Sequence, residues 1–229
     1  MPSSFWCIVE VLRSPALVRH LRGEITRYYN PQTEAYNTDG ISKEPIVESI
    51  LAEIARLRTA TRTIRTVQGG NIQLDNRWTI PDRTSVIMFS QDLGHNATEW
   101  SKARPHTVTR PLERFWAERF LIPDQQAPMR RNKRRGVEIA TGAFSLEGLT
   151  SLHIPFGDGS FPHPARSFAK MIQASTLAIL LTEFETQLCD PDNIEQDLPA
   201  VQEFAYGTVI PLNKIAIRIR KRRPGERPN

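Results

Sequence analysis

PIVESILAEIARLR, Pro45 to Arg58, is the stretch on which the reading of the chain turns. Pro45 presets its own φ and lacks an N–H that a first helical turn would leave unused, so it opens a helix, which the pattern carries to about Ala60. At about 100° per residue, Ile46, Val47, Ile50, Leu51, Ile54 and Leu57 form one apolar arc, and Glu53 falls about 20° from Ile46 at its edge, beside Leu57. A carboxylate there is half buried. Leaving it unpaired would cost on the order of several kcal/mol. Two readings follow: a buried acid paired with Arg56 at i+3, or an ordinary i,i+3 surface pair.

Upstream, Phe5 to Tyr29 repeats apolar residues at helical spacing, and Ser14-Pro15 supplies an N-cap and a first-turn proline, so two successive helices are expected. Asn30 to Glu44, with Pro31 and Gly40, reads as a loop. Downstream, Thr63–Val67, Asn71–Leu74 and Ser85–Phe89 alternate like strands between Gly69-Gly70 and Pro81-Asp82 turns, which predicts a small antiparallel sheet. Ser90 to Gly142 is mostly irregular, anchored by Trp100, Phe115, Trp116 and Phe120. A loop rich in Gly and Pro, IPFGDGSFPHPARS (Ile154–Ser167), then enters a helix over Ser167–Leu188, whose apolar Phe168, Ile172, Leu177, Leu180, Leu181 and Phe184 indicate heavy burial. Tyr206 to Arg220 reads as a hairpin around Pro211-Leu212-Asn213, followed by a basic tail. The fold class is mixed, mainly α with small antiparallel β-sheets.

The chain has 229 residues, ample for one core, and Lys+Arg 30 against Asp+Glu 25 gives a net charge of +5. With 39% hydrophobic and 24% charged residues, global disorder is excluded. Cys7 and Cys189 are too far apart in sequence to form a Cys-x-x-Cys site. No apolar run approaches the roughly 18 residues a transmembrane helix needs, and nothing resembles a secretion signal, so cytoplasmic is the default location. Gly-x-Ser-x-Gly, His-Glu-x-x-His and a strand-to-helix phosphate loop are all missing. His20, His95, His106 and His153 lack metal-ligand spacing. The clusters Arg130 to Arg135 and Arg218 to Arg223 could meet nucleic acid or acidic lipid, or be solvated loops; with no accompanying nucleic-acid motif, no nucleic-acid partner is expected.

Three motifs stand in order: Glu53-x-x-Arg56; Phe115-Trp116-Ala117-Glu118-Arg119-Phe120; and Phe156-Gly157-Asp158-Gly159 ahead of Arg166-Ser167-Phe168-Ala169-Lys170, with HNATEW (His95–Trp100) between the first two. Together they resemble the C-terminal half of the cytochrome P-450 haem-thiolate monooxygenases, in a fungal flavour with a long C-terminal hairpin. The resemblance implies one partial domain over 1–229: helices to residue 60, a small sheet region over 61–110, a meander over 111–155, the haem loop and following helix over 156–188, and the hairpin with basic tail over 189–229. It also implies a haem-dependent monooxygenase of secondary metabolism, with haem as cofactor, a reductase as electron donor and a small lipophilic substrate. Glu53, Arg56 and Arg119 would form a structural triad. Phe156, Gly157, Gly159 and position 163 would line the haem loop, with Arg65 beside a haem propionate.

The loop departs from the family pattern Phe-Gly-x-Gly-x-Arg-x-Cys-Pro-Gly-Arg-x-Phe-Ala at three signature positions: Phe161 for Arg, His163 for Cys and Ala165 for Gly. A thiolate favours O–O cleavage, whereas imidazole belongs to globin- and peroxidase-type haems. His163 is therefore read either as an axial haem ligand or as a loop histidine where the metal ligand has been lost. The family's membrane anchor and distal helices have no counterpart in the chain. The expectation is a truncated P-450-like protein, catalytically inactive as it stands. The alternatives are a haem protein ligated by His163, a non-catalytic interaction module, or a basic binder of nucleic acid or membrane surfaces.

Overall fold

The computed structural model describes residues 2–123, 139–157, 163–190 and 206–223. Gly159, Phe161 and the cluster Arg130 to Arg135 lie outside them. Two helices open the chain, α1 (Pro2–Leu12) and α2 (Pro15–Thr26), and the Ser14 side chain caps α2 by accepting from the Leu17 N–H at 3.3 Å. The expected loop is more ordered than its composition indicates: β1 (Tyr29–Asn30) and β2 (Ala35–Tyr36) form a short antiparallel ribbon before α3 (Thr38–Ser42), which Asn37 caps.

The helix α4 (Pro45–Arg58) has Glu48 in its first turn and Arg56 and Arg58 in its last, charges that suit the helix dipole. It lies between two apolar clusters. One face packs with α1, α2 and α7 (Arg166–Glu183) through residues such as Trp6, Leu21, Ile50 and Leu177; the other, through Ala52, meets Trp100, Leu112, Phe120 and Leu149. Glu53 is therefore fully buried, not half buried. The segment that covers it lacks the period a helical or strand pattern would show.

After β3 (Thr59–Ala60), β4 (Arg62–Thr66) pairs antiparallel with β7 (Ser85–Phe89), and between them β5 (Ile72–Leu74) and β6 (Trp78–Ile80) form a separate hairpin. The expected single small sheet is thus two ribbons. The stretch read as irregular contains α5 (Ser90–His95), α6 (Ala97–Ala103) and a 3-10 turn, then β8 (Leu121–Pro123) paired with β9 (Gly142–Phe144).

The helix expected to reach Leu188 ends at Glu183. Of the six apolar residues expected to be heavily buried, Leu177 and Leu181 are, Ile172, Leu180 and Phe184 are half-buried, and Phe168, in the first turn, is exposed. Phe184–Leu188 is strand β10, paired antiparallel along its length with β12 (Ile217–Lys221). Phe184, Thr186 and Leu188 also alternate, and the distant partner decides between the two periods. The expected terminal hairpin is corrected in the same way. Its arms do not pair with each other: β11 (Gly207–Thr208) joins β3, while β12 joins β10.

Candidate functional site

Glu53 is the hub of a buried charge cluster. Its Oε2 accepts from Arg56 Nε at 2.8 Å, and its Oε1 accepts from Arg56 Nη2 at 2.9 Å, Arg119 Nε at 2.9 Å and the Trp116 N–H at 3.2 Å. All three charged side chains have no exposure. Burial pushes the Glu53 carboxyl upward, but the charges and hydrogen bonds of Arg56, then Arg119, outweigh it and hold the pKa below its ordinary value.

The arginines spend their remaining donors on backbone. Arg56 reaches the carbonyls of Gly94 at 2.8 Å and Leu112 at 2.6 Å, and Arg119 reaches those of Thr107, Arg110, Pro111 and Arg114. Two guanidiniums thus pin the whole 94–114 stretch to α4, each close to an indole ring: Arg56 over Trp100 at 5.6 Å and Arg119 over Trp116 at 5.4 Å. In HNATEW, Asn96 accepts from the Glu99 N–H to cap α6, while Trp100 donates from Nε1 to the Leu93 carbonyl. The motif is a local folding device that delivers Trp100 edge-on to Phe120.

The loop residues behave differently. Gly157 takes a φ of +80°, which favours glycine, and its N–H returns to the Ile154 carbonyl at 3.1 Å. The His163 N–H donates to the Phe156 carbonyl at 2.9 Å and closes the loop neck. The His163 ring is exposed, and its Nδ1 accepts from the Ala165 N–H at 3.2 Å. Phe156 and Gly157 line a cleft of ≈ 370 Å³ between α4 and the start of α7. His163 does not line it. Arg65 is exposed on β4, with Nη1 donating to the Ile64 carbonyl at 3.0 Å. Glu53, Arg56 and Arg119 are thus brought together, while Arg65 and His163 are both left on the surface.

Residues given no site role in the sequence also hold this region. His153 bonds the Ala52 carbonyl through Nε2 at 3.0 Å, and burial lowers its pKa. Glu10, buried on α1, bridges Arg13 at 2.9 Å and Arg58 at 2.7 Å, with Arg58 stacked 4.1 Å from the Trp6 ring centroid. The signal for Glu10 was present: an acid flanked by Val9 and Val11 on an apolar helix.

The cytochrome P450 family model matches residues 2–209. The chain belongs to the cytochrome P450 family. It is 32% identical over 239 aligned residues to the cytochrome P450 monooxygenase fsoE of Humicola fuscoatra, covering 97% of this chain and 40% of that protein. It is 28% identical to the cytochrome P450 monooxygenase efuG of Hormonema carpetanum (97% and 41%) and 25% identical to the human 7-alpha-hydroxycholest-4-en-3-one 12-alpha-hydroxylase (96% and 42%). It therefore spans about two fifths of the length of these relatives.

P450 haem iron is held by a cysteine thiolate. The donors of this P450 chain do not fit that role. Cys7 is buried in the core, where burial and then the Glu10 charge push its thiol up to about 12. Cys189 follows β10, beyond the far end of α7. Among the described residues no helix is long and apolar enough to cross a membrane.

Proposed function

We propose that this chain carries the haem-loop portion of a P450 monooxygenase fold from which the thiolate ligand has been lost, so that the region as it stands does not support the family's oxygen activation. By descent, the whole protein's chemistry would be oxidation of a small lipophilic substrate with electrons from a reductase. What remains here is the scaffold of that chemistry: the Glu53–Arg56–Arg119 cluster and the loop neck at Phe156 and His163.

One observation carries this reading and favours it over an imidazole-ligated haem. The Nδ1 of His163 accepts the Ala165 N–H, so a neutral ring carries its proton on Nε2. One nitrogen has its lone pair engaged and the other has none to donate. A metal-bound histidine is oriented the opposite way, with its second nitrogen donating to a carboxylate or carbonyl.

The test is the carbon monoxide spectrum of the purified chain after supply of haem and reduction. No thiolate-type spectrum is expected, and His163→Ala should leave any haem uptake unchanged. A thiolate spectrum from the unmodified chain would overturn the loss of ligand. Loss of a stable nitrogen-ligated haem in His163→Ala would instead establish the imidazole reading.

A further inference from the structure

Three acids are buried among the described residues, and two of them are answered: Glu10 and Glu53 each hold two guanidiniums. The third is Glu118, in the segment that delivers Arg119. It is nine-tenths buried, with 9% of its surface exposed, yet its carboxylate makes no hydrogen bond or ion pair with any described residue. The nearby cations are spent elsewhere. Arg119 gives its Nε to Glu53 and its two Nη groups to the carbonyls of Thr107, Arg110, Pro111 and Arg114. Arg13 and Arg58 are drawn to Glu10. Buried charges are ordinarily paired, so this exception calls for a partner. What surface Glu118 keeps opens on a cleft of ≈ 620 Å³ between the α1–α2 junction and the 110–118 turns, a size that suits a small molecule. Half-buried Phe115 and Trp116 give the cleft aromatic walls. Exposed Arg110 and Arg114 also line it, and neither is ion-paired to a described residue; Arg110 lies over the Trp116 ring at 5.3 Å.

We propose that this cleft binds a small amino carboxylate, with its ammonium group on Glu118, its carboxylate on Arg110 and Arg114, and its carbon chain against Phe115 and Trp116. Charge decides between the ligand classes. A bare amine would answer Glu118 but bring another cation beside two unpaired arginines, and a bare acid would answer the arginines but set a second anion beside a buried one. A zwitterion answers both ends and adds no net charge. A metal ion is disfavoured, because among the described residues no three His, Cys, Asp or Glu side chains come together as ligands, and a hard cation needs several oxygens. Of the two ends Glu118 contributes the more: pairing relieves a buried charge there, whereas the exposed arginines already have water. The planar carboxylate suits the guanidinium fork and fixes the orientation. The proposal rests on neither haem nor the fate of position 163.

Calorimetric titration of the full chain with ε-aminocaproate tests it, with hexylamine and hexanoate as singly charged probes of the same length. ε-Aminocaproate should bind saturably, and roughly tenfold or more tighter than either probe. Glu118→Gln, which keeps the shape and removes the charge, should weaken ε-aminocaproate by roughly tenfold or more without lowering the melting temperature. Arg114→Gln, at an exposed position, should bring ε-aminocaproate down toward the affinity of hexylamine and leave hexylamine binding no weaker. Absence of saturable binding, or unaltered binding by Glu118→Gln, overturns the proposal. Hexylamine as tight as ε-aminocaproate would make the cleft a site for cations alone and overturn it too. So would a collapse of the melting temperature in Glu118→Gln while Arg114→Gln binds like the unmodified chain, because Glu118 would then be a scaffold residue.

Discussion

The two ends of the P450 signature in this chain differ in where their polar groups find partners. Around Glu53 every charge is answered from within the chain: the carboxylate by two guanidiniums and an N–H, the guanidiniums by backbone carbonyls. By contrast His163, in the loop ahead of α7, and Arg65, on β4, lie on the surface, bonded locally to Ala165 and Ile64. The contrast shows which positions can change without disturbing the fold. Replacing a Glu53 partner strands a buried charge, whereas replacing an exposed side chain bonded to one neighbouring N–H leaves the rest of the polypeptide as satisfied as before. Position 163 ties the loop neck through its backbone N–H, which does not depend on the side chain it carries.

The largest expected effect breaks the internally satisfied end. Glu53→Ala leaves two buried guanidiniums without their counter-charge, and Arg119→Ala removes five hydrogen bonds to Glu53 and backbone carbonyls. Each should cost about 3–5 kcal/mol, read from urea denaturation midpoints or as loss of soluble expression. Arg56→Ala should behave alike. Unchanged midpoints in all three would remove the cluster as the lock of the meander.

A smaller effect sharpens the contrast through pH. Burial lowers the His153 pKa from its ordinary 6.5, so the folded state prefers the neutral ring, and that stabilisation is complete above about pH 6.5 and declines as pH falls through the folded value. Glu53, also held low, adds a second decline of the same sign below its ordinary 4.5. Each group contributes at most about 1.4 kcal/mol per pH unit. His153→Leu should reduce the first decline, to which His106, also lowered by burial, adds with the same sign, and leave the second. A midpoint that rises between pH 7 and pH 5.5 would contradict this sign.

The sequence carried α4, the Ser14 cap and the need for a cation near Glu53, because helical periodicity and capping are local signals. It understated how deeply Glu53 is buried, since the cover from Trp100, Leu112 and Phe120 comes from short turns with no repeating pattern. Phe184 satisfied a helical and a strand period alike, and only pairing with Ile217–Lys221 decided between them. The motif order pointed to Arg119, but nothing local announced that it would hold four carbonyls. The Nδ1 contact of His163 depends on loop geometry that residue types do not encode.

The smallest expected effect lies at the other end of the comparison. His163→Ala removes an exposed ring whose one side-chain hydrogen bond among the described residues is to the Ala165 N–H, a donor that water can satisfy instead. The bond closing the loop neck runs from the His163 backbone N–H to Phe156 and survives the substitution. The stability change should therefore stay within about 0.5 kcal/mol. His163→Pro is the sharper variant, because it keeps the exposure but deletes that N–H, and it should lower the melting temperature by more than the alanine does. If alanine is as costly as proline, the ring itself holds the loop, and position 163 is not free of the scaffold.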